Sequence, residues 1–221
     1  MARHDEFPGD IIDLKGPAGK IGKFISLGFT VFIIAFFMLV FFRPLFLANI
    51  GAGERGVRFN YLFDGVEEEE LTEGVHLKAP WVTITNYNIK TQAYTMSLVE
   101  NEGNVARDDR IVGISKDGLS VGFDITILYH IIPEKASEIH QNIGEGYQSI
   151  IIRPSTRTVI RDIAGEYVAM EMHQKRPEIA EQIFNNLKPK FREKNIILEQ
   201  VLVRNIVRPQ QIEKAIANKL E

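Results

Sequence analysis

Two glycine-framed motifs, five histidines and two acidic clusters are the residues whose types and spacing could do chemistry. Gly51-Ala52-Gly53-Glu54-Arg55-Gly56 has the G-x-G-x-x-G spacing of a dinucleotide loop. That loop works only between a strand and a helix, where the helix N-terminus meets the pyrophosphate. Here an apolar run precedes it and an alternating Val/Phe segment follows, so the glycines read as a flexible turn. Gly118-Leu119-Ser120-Val121-Gly122 has the G-x-S-x-G spacing of a hydrolase elbow. The elbow needs its serine on a sharp strand-to-helix turn. Ser120 instead opens a long strand pattern, and no helix signal comes before Pro133, so it reads as a solvent-facing serine. His4, His76, His130, His140 and His173 include no pair at i,i+3 or i,i+4, the spacing that sets two imidazoles on one helix face for a metal. The chain has no cysteine, which excludes thiolate metal sites, cysteine nucleophiles and disulfides. Glu67 to Glu70, and Asp108-Asp109 between Arg107 and Arg110, read as solvated charge runs. Neither has the spaced oxygen ligands around a glycine that an EF-hand calcium loop needs. No catalytic residue, metal or cofactor is expected.

The elements that would position any site follow from periodicity. Gly56 to Tyr61 alternates as a strand, and Phe63-Asp64-Gly65 marks a turn. Trp81 to Tyr94 is rich in β-formers, with a break near Asn86 that predicts a bulge. The stretch around Asn101 to Asp109 is a polar loop. Ile111 to Ser115 is a short strand, and Lys116-Asp117-Gly118 a turn. Leu119, Val121, Phe123, Ile125, Ile127, Tyr129 and Ile131 then fall on one face of a strand, with mostly polar residues opposite. That predicts a half-buried antiparallel strand with helices on its apolar side. Pro133 opens a helix ending at Gly144. Tyr147 to Ala164 is a second helix, limited or kinked by Pro154. Arg176 to Asn195 is a third, with Ile179, Ile183, Phe184, Leu187 and Phe191 as its stripe, a bend at Pro189 and a left-handed close at Asn195. Ile196 to Val207 returns as a strand, and Pro209 opens a last helix. Strands first, helices second and one returning strand make an α+β layer domain.

One segment stands apart. Phe24 to Phe42 is a 19-residue run without charge, bounded by Lys23 and Arg43. As a helix it spans about 28 Å, close to the roughly 30 Å hydrocarbon core of a bilayer. A membrane span is the expected reading, with Phe24, Phe29, Phe32, Ile33, Phe36, Phe37, Leu39 and Phe42 as anchor residues. A cleaved signal peptide is the rival, for which Ala48 and Ala52 supply small residues. Lys15, Lys20 and Lys23 on one side balance Arg43, Arg55 and Arg58 on the other, and Arg3 adds slightly to an amino-terminus-inside orientation. The only tryptophan, Trp81, has two open readings, as a core residue or as an anchor at headgroup level.

The expected organisation is a tail at 1–23, the span at 24–47, one folded domain at 48–208 and the start of a C-terminal helix at 209–221. The whole chain has 26 basic and 29 acidic residues, net −3. Five of the basic and four of the acidic residues precede residue 49, leaving the rest at net −4. Nothing in that balance suits nucleic acid.

The ordered set of motifs resembles the stomatin/prohibitin/flotillin (SPFH, band 7) family, most closely the prohibitins. Its carriers are Asn49 to Phe59, Phe63-Asp64-Gly65-Val66, Glu73-Gly74-Val75-His76, Pro80-Trp81, Ser115 to Val121, Arg153-Pro154-Ser155, Thr158 to Ile163, Lys175 to Ile179 and Ile206 to Ile216. A stomatin-type hairpin would place a proline inside the apolar run, and Phe24 to Phe42 has none. The resemblance implies a non-enzymatic membrane scaffold. It implies a homo-oligomer, or a hetero-oligomer with a related SPFH protein, with the lipid bilayer and a membrane AAA protease of the FtsH type as partners. It also favours the non-cytoplasmic side for the domain of a single-pass protein, in a prokaryotic plasma membrane or an organelle inner membrane. Family members extend the last helix into a long coiled coil, whereas Pro209 to Glu221 is under two heptads. The stripe Ile212, Ala215, Ile216 and Leu220 is the expected subunit contact. The alternative function is a membrane-tethered monomeric or dimeric binding module.

Overall fold

The computed structural model describes residues 18–63, 65–98, 103–104 and 109–207. The chain divides into two compact units that part after Leu47. The first contains helix α1 (Ala18–Phe46), which carries Pro44 in its last turn. Every described side chain from Gly28 to Phe46 is exposed. By length and composition Gly28–Phe46 could cross a membrane.

The second unit begins with small sheets. β1 (Leu47–Ile50) pairs with β4 (Gly74–Leu77), and β2 (Glu54–Asn60) lies between β3 (Gly65–Val66) and β5 (Val82–Asn88). Gly53 takes φ +75° in the turn before β2, a conformation open to glycine. A strand follows the turn, so the dinucleotide-loop context is missing. The expected bulge at Asn86 is not there. Register runs unbroken from Glu54↔Asn88 to Asn60↔Val82. Asn86 is polar at that position because its amide donates to the Asn49 carbonyl (3.1 Å) and the Glu54 carboxylate (3.0 Å). The β-rich stretch also proves to be two strands. The chain leaves β5, turns at Ile89 to Thr91, and enters β6 (Gln92–Met96) in a different sheet.

The main sheet is built on β8 (Ser120–Ile131). β6 and β7 (Ile111–Ile114) share one of its edges, and β9 (Ile196–Val207) pairs along the other, all antiparallel. The apolar face of β8 is buried as expected, under α3 (Arg153–Ala164) and α4 (Arg176–Arg192). Its opposite face is buried too at Gly122, Asp124 and Thr126, which corrects the half-buried reading. A central strand has neighbours on both edges, and its polar side chains find partners there. Thr126 meets Thr95 (2.9 Å), and Asp124 accepts from the Leu98 amide (3.1 Å).

Pro133 starts a 3-10 turn (Pro133–Lys135) that leads into α2 (Ala136–Asn142). The predicted helix from Tyr147 is a π-helical turn (Gln148–Ile152) followed by α3, with Pro154 in the first turn of α3. Pro154 has no N–H to donate back into the π turn that precedes it, and the regular α-helix starts there. α4 buries Ile179, Ile183, Leu187 and Phe191, passes through Pro189 and ends at Arg192 rather than Asn195. Asn195, at φ +61°, makes the left-handed turn into β9. Gly113 faces α3 closely: a Cβ there would lie 2.7 Å from the Ala164 methyl. Val112 and Ile114, its neighbours on β7, therefore point to the other side of the sheet.

Candidate membrane-interface site

The turn that joins β2 to β3 presents Tyr61, Leu62 and Phe63 to solvent, with Phe63 72% exposed. Three consecutive large apolar residues cannot all turn inward from a tight hairpin end. The backbone is well held, so their exposure is built in. The Tyr61 amide donates to the Trp81 carbonyl (3.2 Å), and the Leu62 amide donates to Asn60 Oδ1 (3.1 Å). Phe59 and Tyr61 stack edge-to-face with centroids 4.8 Å apart. Trp81 sits in the turn entering β5 and is 43% exposed, so it is not a core residue. Val75 and Leu77, at i and i+2 on β4, share a strand face and are also exposed. Sequence reasoning singled out Trp81 and missed the other five. The signal was available in Tyr61-Leu62-Phe63, an apolar run placed where a turn was already expected.

The charged clusters behave differently from the solvated runs expected of them. Asp109 is 1% exposed at its side chain and accepts from two guanidinium groups of α3. Arg153 Nη2 lies 2.5 Å and Arg157 Nη2 2.6 Å from Asp109 Oδ1. Burial alone would raise the Asp109 pKa, but the hydrogen bonds and charges of Arg153 and Arg157 hold it below the usual carboxylate range. Glu67 pairs with Arg58 (2.8 Å), and Glu70 accepts from the Ser137 amide (3.1 Å) and hydroxyl (2.7 Å) at the start of α2. These contacts are structural clamps with no substrate-facing group.

A polar cluster joins the main sheet to the segment that opens the π-helical turn, and a second contact ties β5 to α2. Gln92 Oε1 accepts from Tyr147 (3.0 Å) and Gln148 (3.2 Å), and Gln148 also donates to the Tyr129 hydroxyl (2.8 Å). Tyr87 lies 2.8 Å from His140 Nδ1. Burial, helped by Glu145 and Tyr147, pushes the Tyr87 hydroxyl up to about 12, so it stays protonated and able to donate. Ser120 is exposed at the start of β8, paired with Ile114, with no helix after it. Among the described residues no three His, Asp or Glu side chains converge on a metal position.

Residues 48–221 match the family model of the SPFH domain / Band 7 family. The chain belongs to this family. Its SPFH domain is similar in sequence to Prohibitin-1 of Colletotrichum higginsianum (strain IMI 349063), at 25% identity over 77% of this chain and 58% of that protein. Prohibitin 1 of Mus musculus is 22% identical over 78% of this chain and 59% of its own length. The mitochondrial prohibitin complex protein 1 of Caenorhabditis elegans is 22% identical over 78% and 58%. The chain thus spans less than two thirds of these relatives. Of the expected anchor residues, Phe29, Phe32, Ile33, Phe36, Phe37 and Phe42 project from α1 exposed. Phe24 and Leu39 lie on the same helix, and their side chains are outside the described set. Ile212, Ala215, Ile216 and Leu220 lie outside the described residues altogether.

Proposed function

We propose that this chain is a single-pass membrane scaffold: α1 spans the bilayer, and the SPFH domain assembles with further copies or with a related SPFH protein on the membrane surface. The observation that carries the reading is the direct junction of the two parts. The apolar helix ends at Phe46, and the first strand of the SPFH domain begins at Leu47. If α1 spans the bilayer, the absence of a linker keeps the start of the SPFH domain within a few residues of the lipid surface. β4, with exposed Val75 and Leu77, is hydrogen-bonded to that first strand. The Tyr61–Phe63 turn and Trp81 add amphipathic aromatic rings of the kind that settle at headgroup level. They are the proposed leaflet contact.

Assembly is supported by kinship with a protein whose name places it in a mitochondrial complex. It is also supported physically, because tethering copies in two dimensions raises their effective concentration and lets weak pair contacts accumulate. Such an assembly would enclose and organise neighbouring membrane proteins and lipids. A membrane AAA protease of the FtsH type is the proposed client, and the non-cytoplasmic side the proposed location of the domain. The test is particle mass of the full chain in mild detergent, by mass photometry with electron-microscope imaging. A ring or cage of many copies is expected. A uniform monomer or dimer would replace the scaffold by a tethered binding module.

A further inference from the structure

The outer edge of the three-stranded sheet is open. β5 pairs with β2 on one side, and nothing pairs with it on the other. The backbone bonds fix which groups face the open side. Gly56 exchanges hydrogen bonds with Leu71, and the Arg58 carbonyl accepts from the Glu67 amide, so both residues turn these groups away from β5. In an antiparallel ladder the residues opposite them, Asn86 and Ile84, turn theirs away from β2. At the strand ends such groups are used. The Val82 amide donates to the Ala79 carbonyl, the Val82 carbonyl accepts from Lys78, and the Asn88 carbonyl accepts from the Gln92 side chain. The backbone N–H and C=O groups of Ile84 and Asn86 have no partner among the described residues. A groove of about 480 Å³ runs along this edge, lined by Thr83 to Asn88, Glu145 and Tyr147. Tyr147 packs on Tyr87 with ring centroids 6.4 Å apart, so this wall stands on the face that carries Thr83, Thr85 and Tyr87.

We propose that this edge docks an extended segment of a partner protein, which adds a strand to β5 and sets a lysine or arginine against Glu145. The backbone selects the class of occupant. Alternating N–H and C=O groups at strand spacing are matched by another extended polypeptide, and a lipid or sugar offers no such ladder. The edge also lacks the usual protection. Exposed edges are blunted by charge, proline or a bulge, and Thr83 to Asn88 has no charge, no proline and an unbroken register. Charge selects one side chain of the occupant. Directly paired residues share a face, so the residue opposite Tyr87 projects beside Glu145. Glu145 is exposed and pairs with no cation among the described residues. Opposite Thr85 the same face takes a small or β-branched residue. In the antiparallel sense the basic residue leads, and the second and fourth residues bond to Asn86 and Ile84. One copy carries the whole site, so it stands apart from the scaffold reading.

The probe is the acetylated pentapeptide Lys-Val-Thr-Val-Thr with a fluorophore at its C-terminus, titrated against the full chain in detergent by anisotropy. Saturable binding is expected. N-methylation of both valines, whose amides would meet Asn86 and Ile84, should abolish it. N-methylation of the central threonine, whose amide points to solvent, should leave it intact. Glu145→Lys, at an exposed position, should weaken binding about fivefold and favour the peptide with glutamate in first place. Absence of binding, or equal loss with either N-methylation, overturns the proposal. Hydrogen exchange on the same detergent-extracted chain tests the rival occupant, a neighbouring copy. The Ile84 and Asn86 amides should exchange freely until the peptide is added and then slow about tenfold or more. Protection before the peptide is added gives the edge to another copy and overturns the proposal as well.

Discussion

Asp109 shows how far a residue's surroundings can depart from its sequence neighbourhood. Beside Arg107, Asp108 and Arg110 it has the local character of a surface charge run. Its actual partners, Arg153 and Arg157, are more than forty positions away on α3, one turn apart on one helix face. That spacing is visible in the sequence, but nothing local names the carboxylate they share. The pair fixes the start of β7 against α3, and its contribution depends on charge. Asp109→Asn should lower stability at pH 7 by about 3 kcal/mol, the low end for a broken buried pair, because both guanidinium groups keep some contact with water. The pH dependence has a definite sign. The folded pKa lies below the unfolded value of about 3.9, so the stabilisation is complete above pH 4 to 5 and fades as pH falls through the folded pKa. Urea unfolding at pH 7 and near pH 3 measures this. The gap between wild type and Asp109→Asn should narrow at the lower pH, and a gap independent of pH would mean that the carboxylate acts through packing alone.

At the scale of elements, strands with one strong period were legible, and prolines and a left-handed residue marked where helices start or the chain turns, to within about three residues. β9 has the bounds that its pattern predicted, and Asn195 turns the chain into it. The errors have a common physical origin. Asn86 interrupts an apolar alternation without interrupting the ladder, because a long-range hydrogen bond satisfies its side chain. Gly122, Asp124 and Thr126 look solvent-facing but are covered by segments that sequence order does not bring near. The exposed Tyr61–Phe63 turn was placed correctly as a turn, but periodicity does not report the exposure of apolar residues at a turn. Its role beside Trp81 can be read with the chain's own fluorophore. In vesicles containing brominated lipid, emission from Trp81, the single tryptophan, should be quenched at least about twofold relative to plain lipid, as expected for a ring at the acyl boundary. Phe63→Glu with Leu77→Glu should weaken that quenching without unfolding the domain, because both side chains are already exposed. Emission indifferent to bromine would remove the leaflet contact.

For the whole molecule, the proposed scaffold couples the span to assembly. In the proposed scaffold α1, apolar on every described side, would enter the bilayer by hydrocarbon transfer. Phe32 and Phe36, one turn apart, lie near the middle of the uncharged run. An arginine near a helix centre costs about 2.5–3.5 kcal/mol on insertion scales, so Phe32→Arg with Phe36→Arg opposes insertion by about 5–7 kcal/mol. That is a loss of about 5,000- to 100,000-fold in partitioning, and it should move the chain from the carbonate-resistant membrane fraction to the soluble one. If tethering supplies the effective concentration for assembly, particle mass must fall together with membrane association, although no residue of the SPFH domain has changed. The two readouts separate the mechanisms. A released chain that still forms large particles would show that the SPFH domain assembles by its own contacts, with the membrane as a location only. A released chain that falls to single copies would show that the bilayer, by confining the copies to one plane, is itself part of what holds the scaffold together.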